Sequence, residues 1–241
     1  MALVESTAAD GVTTLVMDDG KVNALTFEMF DGIADGLDRA EAAGDVVVLA
    51  GRPGRFSGGF HLPTLTGFTP AAADLLGAGF ALSHRLLSFP RPVVIACTGH
   101  AYAMGAFLLL SGDVRFGVDG TEHRITANEV AIGMTLPRAA TEICRQRLTP
   151  AAFERATALS EVFDHRAAVA AGWLDEVVPE DRLLEAATAR AVALTALDAK
   201  AHRETKRRAR ADALDAIAAA TEVDVAEFRD VIAQVAAGDG S

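Results

Sequence analysis

The sequence predicts a layered α/β fold that is followed by a helical C-terminal part. Short apolar runs typical of strands alternate with helix-like segments between residues 12 and 118, which is the pattern of βαβ units. From Pro150 onwards nearly all of the pattern is helical. Apolar residues make up 51% of the chain and aromatic residues only 6%, so Ala, Leu and Val are expected to fill the core.

The composition argues against several classes of partner. The chain has 22 Lys and Arg against 33 Asp and Glu, and its net charge of −11 disfavours a nucleic-acid partner, which needs a basic surface. The longest apolar run, at 101–110, is about half as long as a membrane-crossing helix, so no membrane partner is expected. Cys97 and Cys144 form no C-x-x-C pair, which favours a reduced, cytoplasmic protein.

The first elements are predicted by turn and cap residues. An Asp-Gly turn between two alternating runs predicts a hairpin whose second strand lies at 12–17. A helix is predicted between Thr26, which is a suitable N-cap, and Gly44, which is a suitable end. The wholly apolar run at 46–50 predicts a strand that is covered on both faces.

An irregular segment is expected after this strand. A glycine-rich loop covers 51–62, and the low periodicity of 63–79 predicts a mobile rim that ends where the next helix begins. A helix is expected over 80–88, where following prolines prevent its continuation. The β-branched run at 93–97 predicts another buried strand.

The rest of the chain is organised around the segment from Gly99 to Asp113. Small residues there lead from the strand into a strongly apolar helical turn, and glycine permits close approach of other groups. The N–H groups of Met104 and Gly105 are expected to be unpaired at the helix start, where the helix dipole is positive. Such a turn suits an oxygen that carries negative charge, although a buried helix packed tightly on its neighbour has the same pattern.

Three further elements are predicted from local patterns. A strand is expected at 113–118, and a helix is expected over 138–147. A short strand at 175–179 then interrupts the helical C-terminal part, just after a helix break at Gly172.

Four motifs in the same order and spacing give the chain a resemblance to a known family. They are R-F-S-G-G-F-H-L at 55–62, the glycine-to-aspartate segment at 99–113, N-E-V-A-I-G at 128–133 and the closing segment at 160–179. The first is similar to F-S-A-G-x-D-L, and the third to P-E-x-x-L-G. Through these motifs the chain resembles the enoyl-CoA hydratase/isomerase (crotonase) superfamily over nearly its whole length.

The resemblance implies a fold, an assembly and a class of ligand. The implied fold is a crotonase-like spiral of ββα turns, an α/β core over 1–195, with a C-terminal helical trimerisation region over 196–241. The implied assembly is a homotrimer or a dimer of trimers. The implied ligand is an acyl-CoA thioester, with coenzyme A as thioester carrier and no tightly bound cofactor. No metal is expected, because the six dispersed histidines have no metal-ligand spacing.

The resemblance also assigns roles to residues. It implies that the backbone N–H groups of Phe60 and Met104 hold the thioester oxygen while an enolate forms. Glu129 falls on one catalytic glutamate of the family's hydratases, and Phe107, which cannot transfer a proton, falls on the other. The residues implied to contact substrate are Asn23, Ala24, Gly58, His61, Leu62, Gly105 and Phe107.

A single glutamate is enough for the family's isomerases, which move a double bond from position 3 to position 2. The N-E pair at 128–129 and V-N-A-L-T at 22–26 resemble the isomerases' N-E and V-N-S-L-S. We therefore expect an isomerase of 3-enoyl-CoA thioesters with Glu129 as its base. Apolar neighbours of Glu129 are expected to raise its pKa.

Alternatives stay open at three places. A hydratase would recruit His61 as its second group, because a His of near-neutral pKa can shuttle protons. In a non-catalytic acyl-CoA-binding relative, Glu129 would serve only as a helix-start carboxylate. A basic helical face after residue 198 is either solvated or in contact with coenzyme A phosphates, and it comprises Arg203, Lys206, Arg207 and Arg210.

Overall fold

The computed structural model describes residues 2–238, and within that range it contains twelve strands and nine α-helices. The strands are β1 (Val4–Ala9), β2 (Val12–Met17), β3 (Ala24–Leu25), β4 (Val46–Ala50), β5 (Gly54–Ser57), β6 (Gly59–Phe60), β7 (Val93–Cys97), β8 (Gly99–Tyr102), β9 (Val114–Val118), β10 (Arg124–Thr126), β11 (Phe163–Asp164) and β12 (Glu176–Val178). The helices are α1 (Phe27–Ala43), α2 (Leu62–Leu65), α3 (Pro70–Ser88), α4 (Met104–Leu110), α5 (Arg138–Arg147), α6 (Pro150–Thr157), α7 (His165–Ala171), α8 (Leu183–Leu194) and α9 (Ala199–Gly238).

The larger sheet has six strands in the order β1-β2-β4-β7-β9-β12. Only β1 and β2 pair antiparallel, and all later neighbours pair parallel. Every residue of β4 and β7 is buried, which explains why both strands are wholly apolar. The α/β prediction and the hairpin are thereby confirmed.

A second sheet, in the order β11-β10-β8-β5, and a two-stranded pair, β3-β6, stand beside the first sheet. In the second sheet β8 pairs parallel with both β5 and β10. Because β8 leads directly into α4, and β5 leads into β6, this sheet brings the two glycine-rich segments of the sequence together.

Helix α1 confirms the predicted caps. The Met29 N–H donates to Thr26 Oγ1 (3.1 Å), and Gly44 ends the helix at a positive φ of 75°. The buried side of α1 includes Ile33 and Leu37, which lie on one face of the helix.

The prediction of a rim at 63–79 is wrong. This segment contains most of α2 and the first half of α3, a helix that begins at Pro70 and not at Phe80. Pro70 occupies the first helical turn, where proline needs no N–H partner. The periodicity is weak because the buried face of this part uses small residues, such as Ala72, Ala73 and Gly79, which contrast little with their neighbours.

The long helix α9 packs on α3 and α5 of the same chain. Its contacts with the α3 side include an ion pair between Arg229 and Asp74 (2.9 Å) and an edge-on contact between Phe228 and Phe68. The predicted division into regions 1–195 and 196–241 stays a prediction, and residues 239–241 lie outside the described range. Within 2–238, we find no helix that combines the length and hydropathy needed to cross a membrane.

Lys206 and Arg210, on the basic face of α9, are neither solvated nor free to bind phosphates. For these two residues both interpretations of the sequence, a solvated face and a contact with coenzyme A, are therefore wrong. The Lys206 ammonium lies 2.7 Å from Asp113 Oδ2, and the Arg210 guanidinium lies 2.8 Å from Asp113 Oδ1. Only 7% of Lys206 is exposed. These contacts fasten α9 to the end of α4. Arg203 and Arg207 remain exposed.

Candidate active site

The first part of the site is the start of α4. The earliest backbone hydrogen bonds of this helix run from Ala106 N–H (2.8 Å) and Phe107 N–H (3.2 Å) to the Ala103 carbonyl. Met104 and Gly105 precede these donors, so their N–H groups have no carbonyl one turn earlier to which they can donate. The predicted helix start at Met104 is confirmed.

Ala103 turns the chain from β8 into α4 in a strained conformation. Its backbone has φ 49° and ψ −124°, a region that residues other than glycine rarely adopt. Strain of this kind costs on the order of 1–3 kcal/mol and is found where the surrounding structure fixes the backbone, often at active sites. It sets the direction of the following Met104 N–H.

Gly59 lets the second segment lie against the first. Its φ is 89°, and a Cβ at this position would be 2.9 Å from the Tyr102 carbonyl oxygen and 3.4 Å from the Met104 nitrogen. A side chain here would push β6 away from the start of α4. The next residue, Phe60, is therefore held beside Met104.

The N–H of Phe60 faces away from β3. The neighbouring His61 N–H donates to the Leu25 carbonyl on β3 (3.0 Å), and successive N–H groups of a strand point to opposite sides. Phe60 thus directs its N–H to the side of the strand opposite β3. This geometry is compatible with two N–H donors around one oxygen, and the roles of Phe60 and Met104 stay a prediction.

Two further glycines permit close packing below the donors. A Cβ on Gly105 would lie 2.6 Å from the Ser57 carbonyl oxygen, and one on Gly99 would lie 2.0 Å from the Gly54 carbonyl carbon. Glycine is therefore needed at position 105 because there is no room for a side chain. Its predicted contact with substrate stays a prediction.

The segment before β3 supports the glycine-rich loop through hydrogen bonds. Asn23 is fully buried, and its side-chain amide donates to the carbonyls of Met17 (2.9 Å) and Phe56 (3.2 Å). The Ala24 N–H donates to Asp19 Oδ2 (2.9 Å). Asn23 thus holds the loop in place through its side chain, and this contribution is visible only in the structure.

Gly58 and Ser57 are fixed from the same direction. The Gly58 N–H donates to the Val22 carbonyl (2.8 Å), and the Ser57 hydroxyl donates to the Asn23 carbonyl (2.7 Å). The Ser57 oxygen also accepts a hydrogen bond from Gly59 N–H (3.1 Å). The loop therefore reaches Phe60 with its backbone already positioned, which favours binding without reorganisation.

Glu129 lies immediately before the 3₁₀-helix Val130–Ile132. Only 8% of the residue is exposed, and its Oε2 has no hydrogen-bond partner within the described part of the chain. Burial raises the pKa of Glu129 to about 7, as the sequence led us to expect. Burial also raises the pKa of Cys144 on α5, and the charge of Glu129 adds to this effect.

Phe107 occupies the position at which the resemblance implies a second glutamate in hydratases. The ring is 1% exposed and stacks on Phe80 of α3, with centroids 6.5 Å apart. The side chain brings no proton-transfer group and fills its place with apolar volume. Sequence reasoning placed Phe80 in a helix but did not find its contact with Phe107, because the contact joins two segments that only the fold brings together.

His61 and Leu62 lie at the start of α2. The His61 ring Nδ1 is 2.8 Å from the Thr64 hydroxyl, within the same turn, and Leu62 is 60% exposed. The hydrogen bond to Thr64 orients the imidazole ring. Contact of either residue with substrate stays a prediction.

Three histidines that are far apart in sequence lie together at the second sheet. The His123 ring centroid is 5.4 Å from that of His100 and 5.3 Å from that of His165. Burial lowers the pKa of His165 to about 4, and its ring nitrogens face the carbonyls of Val118 and Gly99. Among residues 2–238 no three His, Cys, Asp or Glu side chains are grouped as metal ligands.

Comparisons with known proteins agree with this geometry. The profile of the enoyl-CoA hydratase/isomerase family matches residues 7–240. Human mitochondrial enoyl-CoA delta isomerase 1 is 28% identical over 230 residues, which cover 94% of this chain and 76% of the human protein.

Solved structures give the same result. An enoyl-CoA hydratase from Mycobacterium marinum superposes with a TM-score of 0.90 at 46% identity, covering 94% of this chain and 99% of that chain. An enoyl-CoA isomerase from Mycobacterium tuberculosis superposes with a TM-score of 0.90 at 45% identity, with the same coverage of 94% and 99%. The matching profile, the fold and the two glycine-rich segments together show that this chain belongs to the enoyl-CoA hydratase/isomerase family.

Proposed function

We propose that the protein is an isomerase that moves the double bond of a 3-enoyl-CoA thioester to position 2. The observation that carries the proposal is one buried carboxylate, Glu129, with an unpartnered oxygen, while Phe107 occupies the place of a second carboxylate. Coenzyme A serves as the thioester carrier, and the reaction needs no tightly bound cofactor.

The reaction is a proton transfer from C2 to C4. Glu129 takes the C2 proton, and the electron pair of the C–H bond delocalises onto the thioester oxygen. The N–H groups of Phe60 and Met104 stabilise this enolate, and preorganised donors of this kind contribute about 3 kcal/mol each. Protonated Glu129 then returns the proton at C4, and the double bond forms between C2 and C3. No atom is gained or lost.

A single group can perform both steps because it becomes the acid after acting as the base. The pKa of Glu129, raised by burial to about 7, suits this exchange, since half of the carboxyl groups are then ionised near neutral pH. The apolar ring of Phe107 disfavours an ordered water at the reacting carbons, which a hydratase would need.

The names of similar proteins support the family chemistry and include both activities. The human relative and one Mycobacterium tuberculosis structure are named isomerases, whereas the Mycobacterium marinum structure and a second structure of the same M. tuberculosis protein are named hydratases. Hydration is therefore the alternative, with His61 as the candidate second group. A non-catalytic acyl-CoA-binding protein is the third possibility.

The decisive variant is Glu129→Gln, which keeps the shape of the side chain and removes the proton acceptor. We expect the isomerisation rate of 3-hexenoyl-CoA to fall at least about a hundredfold, with nearly unchanged thioester binding by calorimetry. Glu154→Gln, on the exposed side of α6, is the matched control and should retain the parental rate.

Three other results would each lead to a different conclusion about the function. If Glu129→Gln isomerises at the parental rate, Glu129 is not the base. If the parent hydrates 2-hexenoyl-CoA faster than it isomerises 3-hexenoyl-CoA, the protein is a hydratase. If it binds both thioesters and converts neither, it is a non-catalytic binding protein.

A further inference from the structure

Four phenylalanine rings form a continuous wall beside the candidate oxyanion donors. In this phenylalanine wall, the Phe60 centroid lies 6.4 Å from that of Phe30 and 6.3 Å from that of Phe80. The Phe80 centroid in turn lies 6.5 Å from that of Phe107. Phe30, Phe80 and Phe107 are at most 5% exposed, so the wall belongs to the close-packed interior.

The wall is packed against Phe60 and Met104, the two residues whose N–H groups are proposed to hold the substrate oxygen. A Cβ on Gly79 would lie 2.5 Å from the Phe60 ring and 3.3 Å from Met104 Sδ. The side chains of both donor residues therefore press against the same point of α3. Phe107 lies three residues after Met104, on the same side of α4, and extends the contact to Phe80.

The geometry of a bound thioester directs its acyl chain towards this wall. A carbonyl oxygen held by both N–H groups places the carbonyl carbon about 4 Å from their nitrogens. That carbon carries two substituents, sulfur and C2. The charged phosphates of coenzyme A cannot be buried among apolar rings, so the sulfur side faces solvent. The acyl chain then extends to the other side, where the rings lie.

We propose that the phenylalanine wall closes the acyl site and restricts the enzyme to short-chain 3-enoyl-CoA substrates. Phe80 and Phe107 are the residues that set the limit, because their rings are packed on each other and cannot move apart without opening the core. This inference rests on the proposed isomerase function and names the substrate class for the same site.

The test compares isomerisation of 3-hexenoyl-CoA and 3-dodecenoyl-CoA. For the wild type we expect kcat/KM to be at least about tenfold lower with the longer chain, because the additional methylenes find no space. Phe80→Ala and Phe107→Ala should raise the ratio of long-chain to short-chain kcat/KM at least about tenfold. Phe80→Leu and Phe107→Leu should shift the ratio in the same direction, and they decide the matter if the alanine variants do not fold.

Phe163→Leu is the matched control. Phe163 is also buried but packs against Trp173, away from the wall, so its replacement should leave the ratio unchanged. A wild type that isomerises both chain lengths equally well, or wall variants whose ratio matches that of the control, would overturn the inference. A wild type that isomerises neither substrate would instead contradict the proposed function.

Discussion

Among single residues, Glu129 should make the stability of the protein depend on pH. The pKa of its carboxyl is about 7 in the folded protein because of burial, against 4.5 for the ordinary group. Between these two values the unfolded chain releases the proton while the folded protein retains it, so the free energy of unfolding falls as pH rises. Above pH 7 the ionised carboxylate costs about 3 kcal/mol.

Glu129→Gln should remove this dependence. We expect the variant and the parent to differ little at pH 4, and the variant to be more stable by about 3 kcal/mol at pH 8, because the uncharged amide avoids the cost of burying the ionised carboxylate. Urea unfolding at both pH values measures the difference. A gap between Glu129→Gln and Glu154→Gln that stays constant across this range would contradict the argument.

Among the elements, α5 depends on α9 for its N-terminal cap. Its own cap position is Pro137, which offers no side-chain acceptor. Asp224 of α9 supplies one instead, since its carboxylate oxygens accept from the N–H groups of Arg138 (3.0 Å) and Ala139 (2.9 Å). Arg138 follows directly after the segment 129–137, which begins with Glu129. By holding Arg138, α9 therefore also restrains the segment that carries the proposed base.

Asp224→Ala should lower the free energy of unfolding by about 2 kcal/mol, because the N–H groups of Arg138 and Ala139 at the start of α5 lose their acceptor. Chemical denaturation measures the loss. Glu227→Ala is the matched control, since Glu227 lies on the same helix and pairs only with the Arg138 side chain at the surface. It should change stability much less. Equal losses in the two variants would show that Asp224 is not a cap.

For the whole molecule, Asp113 is one of the points at which α9 is joined to the α/β core. Burial raises the pKa of its carboxyl, but Lys206 and Arg210 more than offset this and hold it below its ordinary value of 3.8. Asp113 also accepts from the Val93 N–H (2.7 Å), which ties the start of β7 to the same cluster. Its contribution to stability is present above pH 3.8 and is lost as pH falls through the lowered pKa.

Asp113→Asn should cost about 3 kcal/mol at pH 7, because two buried cations lose their counter-charge. The gap between variant and parent should narrow under acid conditions, where the parental carboxyl is also protonated. Asp119→Asn, which breaks an exposed pair with Arg166, is the control and should cost far less. Urea unfolding across the acid range would contradict the argument if both variants lost the same amount.

The assembly and the location stay predictions. The exposed side of α8 carries apolar side chains, Leu184 at 45% and Val192 at 39%, which suits the expected homotrimer or dimer of trimers. The cytoplasmic location expected from the cysteines is likewise a prediction.

The sequence by itself determined the elements whose signals are local. Strands β4 and β7 were predictable because a buried parallel strand needs an unbroken apolar run. The ends of α1 were predictable because Thr26 and Gly44 act on backbone groups within a few residues. The motif positions Phe60, Met104 and Glu129 were assigned differently, through the resemblance of short motifs to those of the enoyl-CoA hydratase/isomerase family.

The tertiary structure alone decided what lies around those positions. The first half of α3 was not predicted because small residues interrupt its buried face, and two of them, Ala72 and Ala73, are buried against α9. The phenylalanine wall joins α1, β6, α3 and α4, and Asp224 reaches α5 from 85 residues away. Such contacts follow from packing between distant segments, which leaves no periodicity or cap in either segment, so only the folded chain reveals them.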